Sequence, residues 1–176
     1  IIITNMKKNL ILKKLLPEDA NPEYLKWMND KEVTKFTEQR FKKHSLSEIK
    51  NFIKEKNISK VEFLFGIFVV DKSEKTHVGN IKLGPINKFH QSAEVSYLIG
   101  NKNFWGKGLA TESVNMIIQI AKKKFKLKKL IAGCYSNNYG SIKVLKRNSF
   151  KKEADLKSQI LFKSKRINKL LFGLKI

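Results

Sequence analysis

The feature that most restricts the fold is a strand, a glycine-containing loop and an amphipathic helix that follow one another in mid-chain. The strand is predicted over residues 93–99 and the loop over 103–108, after which apolar residues recur at helical spacing through 109–121. Another strand is predicted over 129–135. Two strands joined by a helix form a β-α-β unit, whose strands run parallel.

The strands before this unit are predicted to form an antiparallel meander. Residues 62–70 and 76–86 read as a hairpin that continues into 93–99. A meander followed by a β-α-β unit gives a mixed sheet, so the fold class is α/β with α+β character. Ser45 and Glu48 form a capping box that starts a helix. The prediction has about seven strands and about four flanking helices; its other elements are a strand over 9–16, helices over 23–28, 45–56 and 138–147, a short turn over 31–36, and closing strands over 151–161 and 166–174.

The length of 176 residues is that of one domain. We assign the domain to residues 6–176, with Met6 as a candidate start, and expect residues 1–5 to be a non-native or disordered extension. No apolar run approaches the ~18 residues that a membrane span needs, so we expect no membrane association. Cys134 is the only cysteine, which excludes an intramolecular disulfide and fits a cytoplasmic location.

The formal net charge of +22 has three explanations. It fits a nucleic-acid-binding protein, a protein with an anionic small ligand, or a genome whose AT-rich codons favour lysine. The lysines are spread along the whole chain, and no arginine-rich arm, zinc-finger spacing or RNA-binding aromatic motif accompanies them. We therefore expect no specific nucleic-acid partner, and we predict no metal site.

The glycine-containing loop has the chemistry of an anion site. Free backbone N–H groups and the helix dipole point out of such a strand–helix junction, and Gly106 and Gly108 would let an anion approach the backbone. Lys107 adds a positive charge. The dinucleotide-binding fingerprint is excluded because Thr111 stands where its third glycine belongs, and a P-loop is excluded because Gly108 follows Lys107. A plain turn that uses glycines only for its geometry remains an alternative.

Three segments together resemble the GNAT N-acetyltransferase superfamily. Residues 106–112, preceded by 94–99, resemble its core motif, and residues 138–141 followed by 144–150 resemble its second motif. Residues 24–33 are similar to the opening helix of two branches, the Rim-type ribosomal-protein N-acetyltransferases and the acetyltransferases of amino-sugar pathways. The resemblance covers nearly the whole chain.

The resemblance implies that acetyl-CoA is the co-substrate. It would enter between the strands at 93–99 and 129–135, which splay apart in this superfamily. The pyrophosphate would lie on the loop, and a backbone N–H near Leu98 would polarise the thioester carbonyl. The residues implied to contact the cofactor are Leu98, Ile99, Phe104, Trp105, Gly106, Lys107, Gly108, Leu109, Ala110, Asn138 and Ser141.

The resemblance also implies direct attack by the acceptor amine. Glu94 is the predicted general base, and His90 is the alternative. Leu145 stands where many members have the tyrosine that protonates the leaving thiolate. Ser141, Tyr139 or water would then take that role, or the thiolate leaves unassisted. Cys134 has the chemistry for an acyl-enzyme, but a buried strand residue is the favoured interpretation.

The acceptor implied by the resemblance is a primary amine on a small molecule, first of all a nucleotide-linked amino sugar of a bacterial surface-glycan pathway. Trp27, Asn29, Asn80 and Asn87 are the residues predicted to bind it, although Trp27 is equally plausible as a core residue. A protein N-terminus, as in the Rim-type branch, is the second hypothesis. A non-catalytic CoA-binding module is the third. The protein is expected to be a monomer or a homodimer.

Overall fold

The computed structural model describes residues 2–5, 9–72 and 74–176. Within them one sheet contains eight strands: β1 (Ile2–Asn5), β2 (Leu10–Lys14), β3 (Phe63–Asp71), β4 (Glu74–Asn87), β5 (Ser92–Ile99), β6 (Lys129–Tyr135), β7 (Lys151–Phe162) and β8 (Lys165–Lys175). The described α-helices are α1 (Pro22–Asn29), α2 (Lys31–Thr34), α3 (Leu46–Ile58), α4 (Leu109–Lys123) and α5 (Tyr139–Arg147). Short 3₁₀ helices cover Pro17–Asp19, Glu38–Phe41 and Lys102–Phe104.

The sheet has the order β1-β2-β3-β4-β5-β6-β8-β7. Strands β5 and β6 are parallel neighbours, and every other neighbouring pair is antiparallel. This arrangement confirms the predicted mixed sheet and the predicted β-α-β unit. The capping box was also predicted correctly, because the Ser45 side chain accepts from the Glu48 N–H while the Glu48 carboxylate accepts from the Ser45 N–H.

The first strand is the main difference from the predicted fold. Residues 1–5 were expected to be an extension outside the domain, but Ile2–Asn5 form β1 and pair with β2. The Asn5 side chain donates to Glu112 Oε1 at 2.5 Å, which ties β1 to α4. A run of only four residues is too short for alternation to reveal a strand, so this strand could not be predicted from the pattern of apolar residues. Met6, the candidate start, lies outside the described residues.

Each face of the sheet carries its own apolar cluster. One cluster joins α4 and α5 to the strands and includes Val95, Ile117 and Leu145. The other lies under α1 and α3 and includes Trp27 and Ile53. None of the helices in the described parts of the chain combines the length and the apolar character that crossing a bilayer needs.

His77 lies in the cluster under α1 and α3. Its ring stacks on Phe68 and meets Trp27 and Tyr24 edge-on, with centroid distances from 4.6 to 5.4 Å. Its Nε2 lies 3.0 Å from Gly79 O, which only accepts hydrogen bonds, so Nε2 is the protonated nitrogen. Burial lowers the pKa of His77 below its ordinary value. The folded protein therefore holds this imidazole neutral.

The buried His77 predicts a stability that depends on pH. The unfolded chain takes up a proton at this imidazole below about pH 6.5, whereas the folded chain resists it. The contribution of the neutral His77 to the free energy of unfolding is therefore complete above about pH 6.5. It is lost as the pH falls from there through the lowered pKa of the folded state. Urea unfolding between pH 7.5 and pH 5 should show a smaller decrease in His77→Gln than in the wild type. His90→Gln changes an exposed imidazole and should keep the wild-type decrease; equal decreases in all three proteins would contradict the prediction.

Candidate active site

A cleft opens where β5 and β6 part. These strands pair only from Ser92 and Lys129 to Glu94 and Ile131. Beyond that point β5 stays paired with β4, and β6 stays paired with β8. Because each strand follows its outer neighbour, a cleft of about 740 Å³ forms between them, and the inner edge of β5 beyond Glu94 has no β6 partner.

The three residue pairs also set which side chains face one another across the cleft. Continued along both strands, this register brings Tyr97 level with Cys134, and Leu98 level with Tyr135. Side chains alternate between the faces of a strand. Cys134 belongs to the cluster with α4 and α5, whereas Leu98 packs against the cluster of α1 and α3. The cleft therefore has an α5 side and an α2 side with different chemistry.

The glycine loop forms one end of the cleft. Gly106 and Gly108 have φ of 75° and 79°, a conformation that side chains with Cβ rarely adopt. A Cβ built on either residue would have no neighbour within 4 Å, so the space in front of both is open. The first helical hydrogen bond in α4 is donated by Glu112 N to Gly108 O, at 3.1 Å. The backbone N–H groups of residues 109–111 therefore point out of the helix end, as phosphate binding requires.

The end of β5 presents backbone groups beside this loop. Gly79 of β4 allows the strands to approach closely, since a Cβ there would lie 2.2 Å from Leu98 O. The Trp105 indole donates to Ile99 O at 2.8 Å, so this carbonyl already has one partner. The unpaired edge, the exposed amides and the open space together fit an extended ligand with a phosphate group.

The residues predicted to contact the cofactor are brought together here. Ten of the eleven line the cleft: Leu98, Ile99, Phe104, Trp105, Gly106, Gly108, Leu109, Ala110, Asn138 and Ser141. Lys107 is not among the lining residues, and its Nζ lies 4.9 Å from the centre of the Phe104 ring. The contacts themselves stay a prediction.

On the α5 side of the cleft, hydroxyl and thiol groups converge. Ser141 Oγ lies 2.8 Å from the Tyr97 hydroxyl, and Asn138, the N-cap of α5, accepts from Ser141 N at 3.1 Å. Burial raises the pKa of Tyr97 well above its ordinary value and raises the pKa of Cys134 to about 11. All three groups are therefore protonated at neutral pH. Leu145 is fully buried beside them, and Tyr139 is 77% exposed, outside the cleft.

The two residues predicted as the general base lie away from the cleft lining. Glu94 is exposed on the last paired residue of β5, and His90 is exposed in the turn between β4 and β5. The His90 N–H donates to Asn87 Oδ1 at 3.0 Å, so Asn87 shares this turn. The turn is at the end of β5 opposite to the parting of the strands. These positions give the predicted roles no support, and the roles stay predictions.

The other residues predicted to bind the acceptor are engaged in structural contacts. Trp27 is 4% exposed and covers Gly100, where a Cβ would lie 2.2 Å from the indole ring. The core role that the sequence left open for Trp27 therefore accounts for its position. Asn29 bonds to both backbone groups of His44, at 2.9 and 3.0 Å, and Asn80 is buried with its Oδ1 2.9 Å from His77. Neither asparagine lines the cleft.

The α2 side of the cleft was not predicted from the sequence. Phe36, Glu38 and Tyr135 line it, and the Tyr135 hydroxyl donates to Glu38 Oε1 at 2.5 Å. Burial, followed by this hydrogen bond, raises the pKa of Tyr135. Tyr135 is the last residue of the predicted strand 129–135. Its position could have indicated it, because ligands bind at the carboxyl ends of parallel strands. Glu38 lies in an irregular segment where no pattern points to it.

Comparison with known proteins agrees with this geometry. Residues 9–151 match the family model described as Acetyltransferase (GNAT) domain. The chain is 29% identical to the uncharacterized N-acetyltransferase p20 of Bacillus licheniformis over 175 residues, 95% of this chain and 93% of the relative. The chain belongs to the GNAT acetyltransferases. It is an acetyl-CoA-dependent N-acetyltransferase, as the resemblance of its motifs predicted.

Solved GNAT structures share the whole fold. RimL, the ribosomal L7/L12 alpha-N-protein acetyltransferase, in complex with coenzyme A, has a TM-score of 0.85 at 16% identity and covers 100% of this chain and 98% of its own. Spermidine N-acetyltransferase from Vibrio cholerae, in complex with CoA and spermine, has a TM-score of 0.82 at 18% identity and covers 95% of each chain. The described residues of this GNAT protein contain no group of three His, Cys, Asp or Glu side chains placed to hold a metal ion.

The glycine loop predicts the effect of a side chain at Gly108. Asparagine tolerates the left-handed backbone, so Gly108→Asn should fold, but its side chain would occupy the open space in front of the helix amides. We expect weaker CoA binding. Wild-type protein at ~100 times the Kd of acetyl-CoA should gain about 2.7 kcal/mol in its free energy of unfolding, and Gly108→Asn should gain much less at the same concentration. The ligand-free Tm is the control, and an unchanged gain in a folded variant would contradict the prediction.

Proposed function

We propose that this GNAT protein acetylates a primary amine by direct attack within the cleft between β5 and β6. The observation that supports this most is the unpaired β5 edge that ends beside the exposed amides of residues 109–111. Bound acetyl-CoA would supply the acetyl group as a thioester. A backbone N–H on the cleft edge of β5 near Leu98 would polarise that carbonyl, and the glycine loop would hold the phosphates, because backbone N–H groups need no particular side chain for either role.

Ser141 is proposed to give a proton to the departing sulfur. Its hydroxyl lines the cleft and is 2.8 Å from the hydroxyl of Tyr97, so a proton that Ser141 gives up can be replaced from Tyr97. Neither group is acidic on its own. The assistance is therefore modest, and a thiolate with an ordinary thiol pKa of about 8.5 also leaves readily.

Cys134 is not proposed as a nucleophile. The thiolate is the reactive form of cysteine, and burial raises the pKa of this thiol to about 11. At neutral pH the thiolate is a very small fraction of the population. The side chain packs in the cluster with α4 and α5, which makes it a core residue at the edge of the cleft.

For the acceptor we favour an amine on an anionic molecule, with a nucleotide-linked amino sugar as the first candidate. Lys35 and Lys169 line the α2 side of the cleft, and Lys143 and Arg147 line the α5 side. Cations on both sides fit a ligand pair in which the cofactor and the acceptor each carry phosphates. Both substrates are cytoplasmic metabolites, so the proposed location is the cytoplasm.

A protein N-terminus is the second candidate acceptor. RimL, which acetylates a protein, shares the fold over the full length of this chain. The α2 side of the cleft opens to solvent beside the exposed Glu38, which leaves room for a peptide. The spermidine enzyme, which shares the fold to a similar degree, shows that fold similarity alone does not select the acceptor.

Loss of the Ser141 hydroxyl should slow catalysis without weakening CoA binding. We expect Ser141→Ala to lower kcat about tenfold, the effect of one lost hydrogen bond in the transition state. Tyr97→Phe should lower kcat by less, since Ser141 then exchanges protons with water. Steady-state kinetics and the thermal shift with CoA measure the two effects separately. A Ser141→Ala enzyme with wild-type kcat would exclude the proposed proton donor.

The acceptor proposal predicts the outcome of a two-panel assay. Thiol release from acetyl-CoA is measured with amino sugars linked to UDP, TDP or GDP, and with short peptides that have free N-termini. We expect higher kcat/KM for a nucleotide-linked sugar, and a raised KM for it in Lys169→Met because a cation is removed from the cleft. A kcat/KM for peptides well above that of every sugar nucleotide would select the protein acceptor instead.

A further inference from the structure

The α2 side of the cleft contains a carboxylate that is held in place by a network of hydrogen bonds. Glu38 begins the 3₁₀ helix Glu38–Phe41, whose N-cap Thr37 accepts from Gln39 N. The Tyr135 hydroxyl donates to Glu38 Oε1 at 2.5 Å, and Arg40 donates to that same hydroxyl. Arg40 also donates to Thr37 O at 3.3 Å and, through Nη2, to Leu161 O at 3.2 Å. The guanidinium therefore ties the segment to β6 and β7.

Aromatic packing also connects this segment to β6 and β7. Phe36 stacks on Phe162 at 5.6 Å with an interplanar angle of 17°, and both rings lie edge-on to Tyr135 at 6.2 Å. The Arg40 guanidinium lies 5.0 Å from the centre of the Tyr135 ring. An irregular segment would ordinarily be free to move. The segment around Glu38 is instead held by the hydrogen bonds of Arg40 and by the aromatic packing, so Glu38 has a defined position at the cleft.

The position of Glu38 along the sheet is the decisive point. The register of β5 and β6 brings Tyr135 level with Leu98, the part of β5 where a backbone N–H is proposed to polarise the thioester. Glu38 is hydrogen-bonded to Tyr135, so its carboxylate lies at this level of the cleft. Glu94 is four residues earlier on β5, which is about 13 Å along the strand. Of the two carboxylates, Glu38 is the one that lines the cleft.

The charges around Glu38 leave its carboxylate available. Lys35 is paired with Glu32 at 3.7 Å, and the described part of the chain contains no salt bridge to Glu38. One oxygen accepts from Tyr135, and the other has capacity for an ammonium group. The residue itself is exposed, so an incoming acceptor can reach it.

We propose that Glu38 binds the ammonium group of the acceptor and takes its proton before acetyl transfer, with Tyr135 as its positioning residue. This inference rests on the proposed function. The ammonium gives one proton to Glu38, and the nitrogen lone pair then forms the bond to the acetyl carbon as the C–S bond breaks. The nitrogen loses a second proton, which balances the one taken up by the departing sulfur. Glu38 returns its proton to water, so the net products are the N-acetyl amine, the CoA thiol and one proton.

The test compares three carboxylates by substitution with glutamine, using the best acceptor of the two-panel assay. Glu38→Gln keeps the size of the side chain and should lower kcat/KM by about 10²- to 10³-fold. Glu55→Gln on α3 is the matched control, since Glu55 is also exposed but does not line the cleft, and it should stay within a few-fold of the wild type. Glu94→Gln tests the carboxylate that the sequence predicts as the base, and with Glu38 as the base it should lose far less activity than Glu38→Gln. Tyr135→Phe keeps the aromatic packing and should cause a smaller loss of about tenfold.

The pH profile separates the proposed role from a structural one. At higher pH a larger fraction of the acceptor amine is already deprotonated and needs no base. The loss of kcat/KM in Glu38→Gln should therefore shrink as the pH approaches the pKa of the acceptor amine. A purely structural defect would not recover in this way. The ligand-free Tm and the thermal shift with CoA check the fold and cofactor binding of each variant.

The outcomes separate this inference from the function on which it rests. Wild-type kcat/KM in Glu38→Gln, equal losses in Glu38→Gln and Glu55→Gln, or a large loss in Glu94→Gln alone would overturn the role of Glu38 and leave the proposed function intact. A wild-type enzyme that binds CoA but releases no thiol with any amine of either panel would overturn both.

Discussion

The short parallel contact between β5 and β6 is the constraint on which the rest of the site depends. Parallel strands that diverge leave backbone N–H and C=O groups without partners, and such groups need hydrogen bonds. Here β5 continues on β4 and β6 continues on β8, so neither strand can close the gap without giving up its outer pairing. The gap is thus a stable property of the sheet. An extended ligand can satisfy the free edge, and α4 supplies the amides for its phosphates at the end of that edge.

The same three residue pairs place the two groups that we propose for proton transfer on opposite sides of the cleft. Because side chains alternate along a strand, the register that brings Tyr97 level with Cys134 also brings Leu98 level with Tyr135 on the opposite face. Ser141 then lies with the first pair on the α5 side, and Glu38 lies with the second pair on the α2 side. The proposed proton donor for sulfur and the proposed proton acceptor for nitrogen are thereby kept on opposite sides of one cleft.

The sequence predicted the parts of this arrangement that depend on regular elements. The order of strands, the glycine loop and the helix caps follow from periodicity and local backbone chemistry, and ten of the eleven predicted cofactor residues line the cleft. The acceptor side was not predictable in this way. Asn29 and Asn80 are polar and near the right elements, but their amides bond to His44 and His77. Only packing shows whether a polar side chain faces a ligand or its own chain.

The two sides of the cleft are therefore built differently, and they should differ in the substitutions that they tolerate. The proposed CoA side consists mainly of backbone groups of β5 and α4, which most side-chain substitutions leave in place. The acceptor side relies on side chains of the irregular segment around Glu38, held by Arg40 and by the stack of Phe36 on Phe162. Substitutions in that segment can change the shape and charge offered to an acceptor without moving the β5 edge. On the proposed assignment, the choice of acceptor is thus a property of this segment and its anchors, while use of acetyl-CoA is a property of the parted strands.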